Sequence, residues 1–239
     1  MVFLVIILQW LYILYFQVFG EEFEAAIKKR ESEFATYSSI KVFCATWNLG
    51  GFDPSTDFDV SLLFKDFEAV GSPELIIIGF QEFISLSAIN IMTGGPNTNQ
   101  MNKWATVIGN ALRKIDRYIM IKHVSLVGIL MLAFAKESVQ SRIQEIDADI
   151  VKTGVGGNFG NKGGVVLKLR VDDSSFAFIN CHLEAAQGKN STRLLNLIDI
   201  HEKAFQEGGV GKKKVRFEWK KAYLIMMLMI AREAHATRL

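Results

Sequence analysis

Apolar positions along the 239-residue chain change period several times, and each change predicts an element. Residues 41–47, KVFCATW, are rich in β-branched and aromatic side chains and give way to the turn-like NLGGFDPST at 48–56, so a strand ends where a loop begins. ELIIIGF at 74–80 is apolar from Leu75 onward, the pattern of a strand buried on both faces, and the polar pair Gln81 and Glu82 follows at its end. Between 99 and 117, Met101, Trp104, Ala105, Ile108, Ala111, Leu112 and Ile115 recur at helical spacing and form one face. From 118 onward the period shortens. YIMIKHVSLV, GILMLAFAK, IQEIDADIVKTG, KGGVVLKLRV and SFAFINCHL predict strands whose short links suit antiparallel neighbours. A helix is predicted over 190–207, with Leu194, Leu197, Ile198, His201 and Phe205 on one side. Gly208, Gly209 and Gly211 break the chain, and the methionine-rich apolar run beyond them, between basic flanks, reads as a short amphipathic or core helix.

The N-terminus has a different pattern. Residues 1–19 carry no charge and only two polar side chains, Gln9 and Gln17, in about the minimum length that spans a bilayer. Three readings are open: a membrane anchor, a secretory signal with Val18 and Gly20 flanking the cleavage point but no basic opening, and a misplaced start of the reading frame. Lys28, Lys29 and Arg30 follow the run, which favours a single-pass anchor with the remainder cytoplasmic and membrane-associated. The expected division is a hydrophobic segment at 1–20, a charged linker or helix at 21–40, a folded domain at 41–207 and a basic, methionine-rich tail at 208–239.

Composition narrows the class. With 50% hydrophobic and 22% charged residues the chain is neither disordered nor collagen-like and has ample material for a core. The net charge of +2 is uneven, because 208–239 hold eight Lys/Arg against two Glu and leave the body slightly acidic. A globally basic nucleic-acid binder is thereby excluded. Cys44 and Cys181 stand in apolar runs without CxxC or Cys/His spacing, so they read as two buried thiols in a reducing compartment.

Three polar residues directly follow apolar strands: Asn48, Glu82 and His182. Strand ends hold side chains rigidly against a cleft, so the three suggest one convergent site. Alone, Asn48 reads as a turn cap and His182 as a satisfied core histidine, whereas Glu82 at the end of an apolar strand has to be solvated, paired or metal-bound. TGVGGNFGNKGGV at 153–165 places six glycines and Lys162 between two strands, a loop whose backbone N–H groups can approach an anion. It is not a Walker A loop, since Lys162 precedes Gly163 and a strand, and the dinucleotide fingerprint fails at Phe159.

EFATYSSIKVFCATWNLGG, IIIGFQEF, TGVGGNFGNKGGVVLKLR and FINCHLEAAQGKNSTRLLNLIDI together resemble the catalytic domain of inositol polyphosphate 5-phosphatases, synaptojanin-like members included, in the endonuclease/exonuclease/phosphatase superfamily. The match runs in order from about residue 30 to 205. It implies an α/β fold, a two-sheet sandwich flanked by helices, with 41–207 as a partial catalytic domain incomplete at the C-terminus. It also implies Mg²⁺ as cofactor, held by Asn48 of the WN motif and Glu82 of the QE motif, which offer the hard oxygens that Mg²⁺ prefers. Asn161 and Lys162 match residues lining the phosphate cleft, and His182 matches the catalytic histidine, with Glu82 counted beside it.

The implied reaction is Mg²⁺-dependent hydrolysis of a ring phosphate monoester, on a phosphoinositide at a membrane surface or on a soluble inositol polyphosphate, with no nucleic acid as partner. The family's GDLN motif, which carries the general-base aspartate, and its SDH motif, which carries a terminal Asp/His pair, do not occur after Phe205, where the tail resembles nothing in the family. Impaired hydrolysis is therefore expected. A catalytically inactive phosphoinositide-binding fragment is the alternative and a nuclease of the same superfamily the third reading. Without further strands, one sheet is expected to leave an edge open unless 215–235 covers it.

Overall fold

The apolar run in the middle of the first half becomes β2 (Leu75–Gln81), a strand buried at every position. In this computed structural model, residues 20–85, 98–154, 159–184, 188–206 and 222–229 are described. β1 (Val42–Asn48) pairs parallel with β2, β4 (Ile129–Lys136) pairs antiparallel on its other side, and β3 (Tyr118–Leu126) closes the sheet in the order β1-β2-β4-β3. A second four-stranded sheet follows: β5 (Ile143–Gly154), β6 (Phe159–Val171), β7 (Ser174–His182) and β8 (Ala222–Met229), in that order.

β2 has no polar side because both of its faces are covered. Phe80 packs on Trp104 of helix α1 (Thr98–Arg113), ring centroids 5.0 Å apart, while Gly79 faces Asn180 of the second sheet. The core between the sheets joins Ile77 and Met131 to Val165, Leu167 and Phe178. A smaller core of Val166, Ile179, Cys181 and Ile200 lies beneath helix α2 (Asn190–Lys203). The architecture is a two-sheet sandwich with flanking helices.

Two sequence expectations need correction. α2 ends at Lys203, four residues early: Ala204 is extended, Phe205 has φ 60°, and the Phe205 N–H donates to Asp149 Oδ2 at 2.6 Å. Its buried side runs through Leu197, Ile200 and Ala204, whereas Leu194 and Ile198, expected on the inward face, are exposed. Gly164 accounts for the rotation: a Cβ there would stand 2.9 Å from Ile200 Cδ1, so the bare glycine admits Ile200 against the sheet.

The second correction is the tail, where 222–229 forms a strand, β8, and not a helix. β8 pairs parallel with β7, from Ser175 with Ala222 to His182 with Met229. Hydrogen bonding explains the outcome. The edge of β7 carries unpaired backbone groups, and a parallel neighbour needs a crossover such as the one through α2.

Residues 20–39 belong to a separate unit. Within it, residues 20–29 are helical and Arg30 pairs with Glu33 at 2.7 Å. No described helix is long and apolar enough to cross a membrane. The segment expected as an anchor, 1–19, lies outside the described residues.

Candidate active site

β1 and β2 run parallel, so their carboxyl ends emerge side by side, and the pairing continues past the strands. Leu49 N–H donates to Gln81 O at 2.8 Å and Gly51 N–H to Glu82 O at 2.7 Å. Gly51, at φ 79°, has the left-handed backbone that favours glycine, and a Cβ there would crowd Ser85 Cα at 3.1 Å. Glu82 itself has φ 49°, a left-handed conformation that costs a non-glycine residue about 1 kcal/mol or more and persists because its neighbours hold it. Its carboxylate meets Asn48: Nδ2 donates to Glu82 Oε1 at 3.1 Å, while Asn48 Oδ1 accepts the Gly50 N–H at 2.9 Å.

The second sheet brings His182 to the same place. His182 ends β7, is 2% exposed, and has its Nε2 3.6 Å from Glu82 Oε1. Lys162 Nζ lies 2.7 Å from the same Nε2. An ammonium only donates, so Nε2 accepts and the ring proton rests on Nδ1. Burial, reinforced by Lys162 and opposed by Glu82, lowers the His182 pKa to about 4. The ring is therefore neutral near pH 7, and its approach to Glu82 is a polar contact and not an ion pair. Burial also pulls the Lys162 ammonium below its ordinary value, against the fields of Glu184 and Glu82.

A buried polar cluster fixes the spacing between the two halves. Gln81 and Asn180 are both fully buried, Gln81 Nε2 donates to Asn180 Oδ1 and to Thr46 Oγ1, and Asn180 Nδ2 donates to Phe80 O at 3.1 Å and Leu130 O at 3.0 Å. The approach requires Gly79, where a Cβ would stand 2.6 Å from the Asn180 carboxamide. Asn180 is two residues before His182 and Gln81 one before Glu82, so this bridge sets how closely the imidazole and carboxylate can come.

Sequence reasoning did not single out Asn180. Its signal was a polar side chain at an inward position of an otherwise apolar strand. Glu184, felt electrostatically by Lys162, was missed too; it lies two residues past His182, just beyond the end of β7.

Of the five expected site residues, the structure brings Asn48, Glu82, Lys162 and His182 into one chain of contacts. The Asn161 backbone is in β6, and its side chain lies outside the described ones. Among the described residues no three His, Cys, Asp or Glu side chains gather as a metal cage. Cys44 and Cys181 are free thiols, pushed up to about 11 and about 12 by burial. A groove of about 740 Å³ lined by Thr56, Asp59, Asn110 and Lys114 shares no residue with the site.

Residues 45–227 match Endonuclease/Exonuclease/phosphatase family 2. The chain belongs to this family. Among curated relatives, a probable inositol polyphosphate 5-phosphatase of Schizosaccharomyces pombe is 28% identical over 211 residues, covering 77% of this chain and 17% of the relative. Rat synaptojanin-2 is 30% identical over 202 residues, covering 77% of this chain and 13% of the relative. The family fold is also seen in the inositol polyphosphate 5-phosphatase domain of a synaptojanin, solved in complex with inositol (1,4)-bisphosphate and calcium ion. It superposes with a TM-score of 0.62 at 25% identity, over 77% of this chain and 52% of that one. The chain thus spans less than a fifth of these curated relatives and about half of the solved domain.

Proposed function

We propose that the chain carries the metal and phosphate-binding half of a Mg²⁺-dependent inositol polyphosphate 5-phosphatase site, which takes a ring phosphate monoester of a phosphoinositide or a soluble inositol polyphosphate. The observation that carries this is the contact chain Asn48, Glu82, His182, Lys162, the first three at the carboxyl ends of β1, β2 and β7 and Lys162 near the amino end of β6. One carboxylate without a cage suits Mg²⁺, which keeps water ligands and takes substrate phosphate oxygens for the rest. It does not suit structural zinc.

Glu82 is the assigned ligand, and Asn48, whose amide N–H is given to Glu82, would add its carboxamide oxygen as a second one. When bound, the metal would neutralise charge on the phosphoryl oxygens. Lys162, already desolvated, donates to a phosphate oxygen in place of His182, which frees Nε2 at the reacting centre. Asn161 is proposed beside Lys162 in the same cleft. The sequence has no GDLN or SDH motif, so we propose that it binds substrate better than it hydrolyses it.

The test uses the full chain with phosphatidylinositol 4,5-bisphosphate and Mg²⁺. Mg²⁺-dependent binding with at most trace phosphate release is expected, and Glu82→Ala and His182→Ala should each lower any release by about 10²-fold or more. Binding that is indifferent to Mg²⁺ and to Glu82→Ala would overturn the assignment.

A further inference from the structure

We propose that Leu126, where β3 turns into β4, is a positioning residue that holds the Lys162 and His182 half of the site against the Glu82 half. The inference rests on the function proposed above and concerns how that same site is assembled.

The turn carries an unusual residue for its shape. Leu126 pairs with Ile129, which leaves Val127 and Gly128 as the two central residues of a hairpin. The first central position of such a hairpin needs a positive φ and ordinarily takes Gly, Asn or Asp. Here it is Val127, at φ 43°, an outlier for a β-branched side chain that persists only where its surroundings over-determine it. Burial supplies that constraint: Leu126 and Val127 are 3% and 2% exposed, and both join the main core.

The two ends of the turn reach different halves of the site. Ile129 pairs with Gln81, so the turn lies just past the end of β2, and Gly128 O accepts the Phe83 N–H at 3.1 Å, on the residue after Glu82. Leu126 reaches the second sheet. Its Cδ2 stands 3.1 Å from the position that a Cβ on Gly163 would take, and Val151 O of β5 is closer still, so only a glycine fits there. Gly163 follows Lys162 and pairs with His182. One turn thus holds the residue after Glu82 by a hydrogen bond and the residue after Lys162 by an apolar side chain. The bridge from Gln81 to Asn180 spaces the sheets behind the site, and Leu126 does so beside it. A turn that merely reversed the chain would be served as well by glycine at 127. The valine keeps the backbone in the one well that directs Leu126 onto Gly163.

The experiment measures the dissociation constant of the full chain for inositol (1,4)-bisphosphate with and without Mg²⁺ by calorimetry, since the ratio reads how well Glu82 and Lys162 act on one ligand. Leu126→Ala should cut this ratio about tenfold, within the usual range of coupling between sites. Leu126→Met, which conserves volume, should keep most of it. The comparison is Leu112→Ala, which removes another buried leucine, from α1: it should also lower the urea midpoint but leave the ratio within about twofold. Val127→Gly, which adopts the same φ without penalty but is free to leave it, should lower the ratio too, and it carries the test if Leu126→Ala does not fold. The His182 ring nitrogen resonances, which report the Nε2 contact with Lys162 before any ligand is added, should move in Leu126→Ala and stay in Leu112→Ala. A ratio in Leu126→Ala no lower than in Leu112→Ala would overturn the role of Leu126 while leaving the proposed function intact. An unaltered chain that gains nothing from Mg²⁺ would remove the proposed function; the His182 resonances then decide alone, and resonances unmoved by Leu126→Ala would remove the role of Leu126 as well.

Discussion

The second sheet ends in charge at both extremities, but the two ends treat it differently. At the far end, Arg142 pairs with Asp172 at 2.6 Å and Arg170 with Glu145 and Asp173, all with substantial solvent contact. At the near end, a half-buried lysine leans on a neutral histidine that is 2% exposed, and the carboxylate nearest that ring is 3.6 Å away. Opposite charges in water satisfy one another and contribute little to stability. Desolvated groups of mixed sign that stop short of a full ion pair leave binding capacity for an anion and a cation. The same strands thus carry a surface lattice at one end and a candidate site at the other.

The largest effect separating the ends should come from the polar bridge behind the site. Asn180→Ala removes the donor to Phe80 O and Leu130 O and the acceptor for Gln81, all in the dry centre. Leaving such groups unsatisfied costs about 1–3 kcal/mol, and the cavity beside Gly79 adds to it. Urea unfolding should show a loss of about 2–4 kcal/mol, with weaker Mg²⁺ binding in the variant under native conditions. Asn180→Asp should be no better, because a carboxylate cannot donate to two carbonyls. A loss no greater than that of a surface variant would mean that the sheets are held in register by apolar packing alone.

That bridge also marks what the sequence could convey. The strand at 74–80 and the helix face through Trp104, Ile108 and Leu112 were legible because burial on both sides of a strand, or on one side of a helix, leaves a periodic trace. Glu82 and His182 were legible as polar residues closing apolar runs. The tail was not: the apolar run at 222–229 has no alternation, and it becomes a strand through the free edge of β7, a tertiary cause without a local signature. The inward face of α2 was misplaced for a similar reason, since the absent side chain of Gly164, on another strand, selects Ile200 over Leu194 and Ile198.

A smaller effect of opposite sign is expected from Lys162. Its ammonium is partly desolvated beside His182, a position that suits phosphate and does not favour the unliganded fold. Lys162→Met keeps the aliphatic stem and removes the charge. It should raise stability by up to about 1 kcal/mol, the modest end because the side chain keeps solvent contact, while abolishing Mg²⁺-dependent binding of inositol phosphates. Thermal melts with and without ligand read both outcomes. Destabilisation by Lys162→Met would show that the lysine is there to hold the strands together and would weaken the contrast between the two ends.

The smallest effect should come from the far end, where the contrast is easiest to break. Arg142 makes a fork with Asp172, Nε at 3.0 Å and a terminal nitrogen at 2.6 Å from Oδ2, and lowers the Asp172 pKa. The geometry is good, yet both partners remain wet, and the turn keeps its backbone bond from Asp172 N–H to Arg142 O at 3.0 Å whatever the side chain does. Arg142→Ala should therefore leave the denaturation midpoint without resolvable change and inositol phosphate binding untouched, at low salt as well as high. A drop matching that of Asn180→Ala would show that ion pairs at this end brace the hairpin, and the division between a surface lattice and a poised site would have to be redrawn.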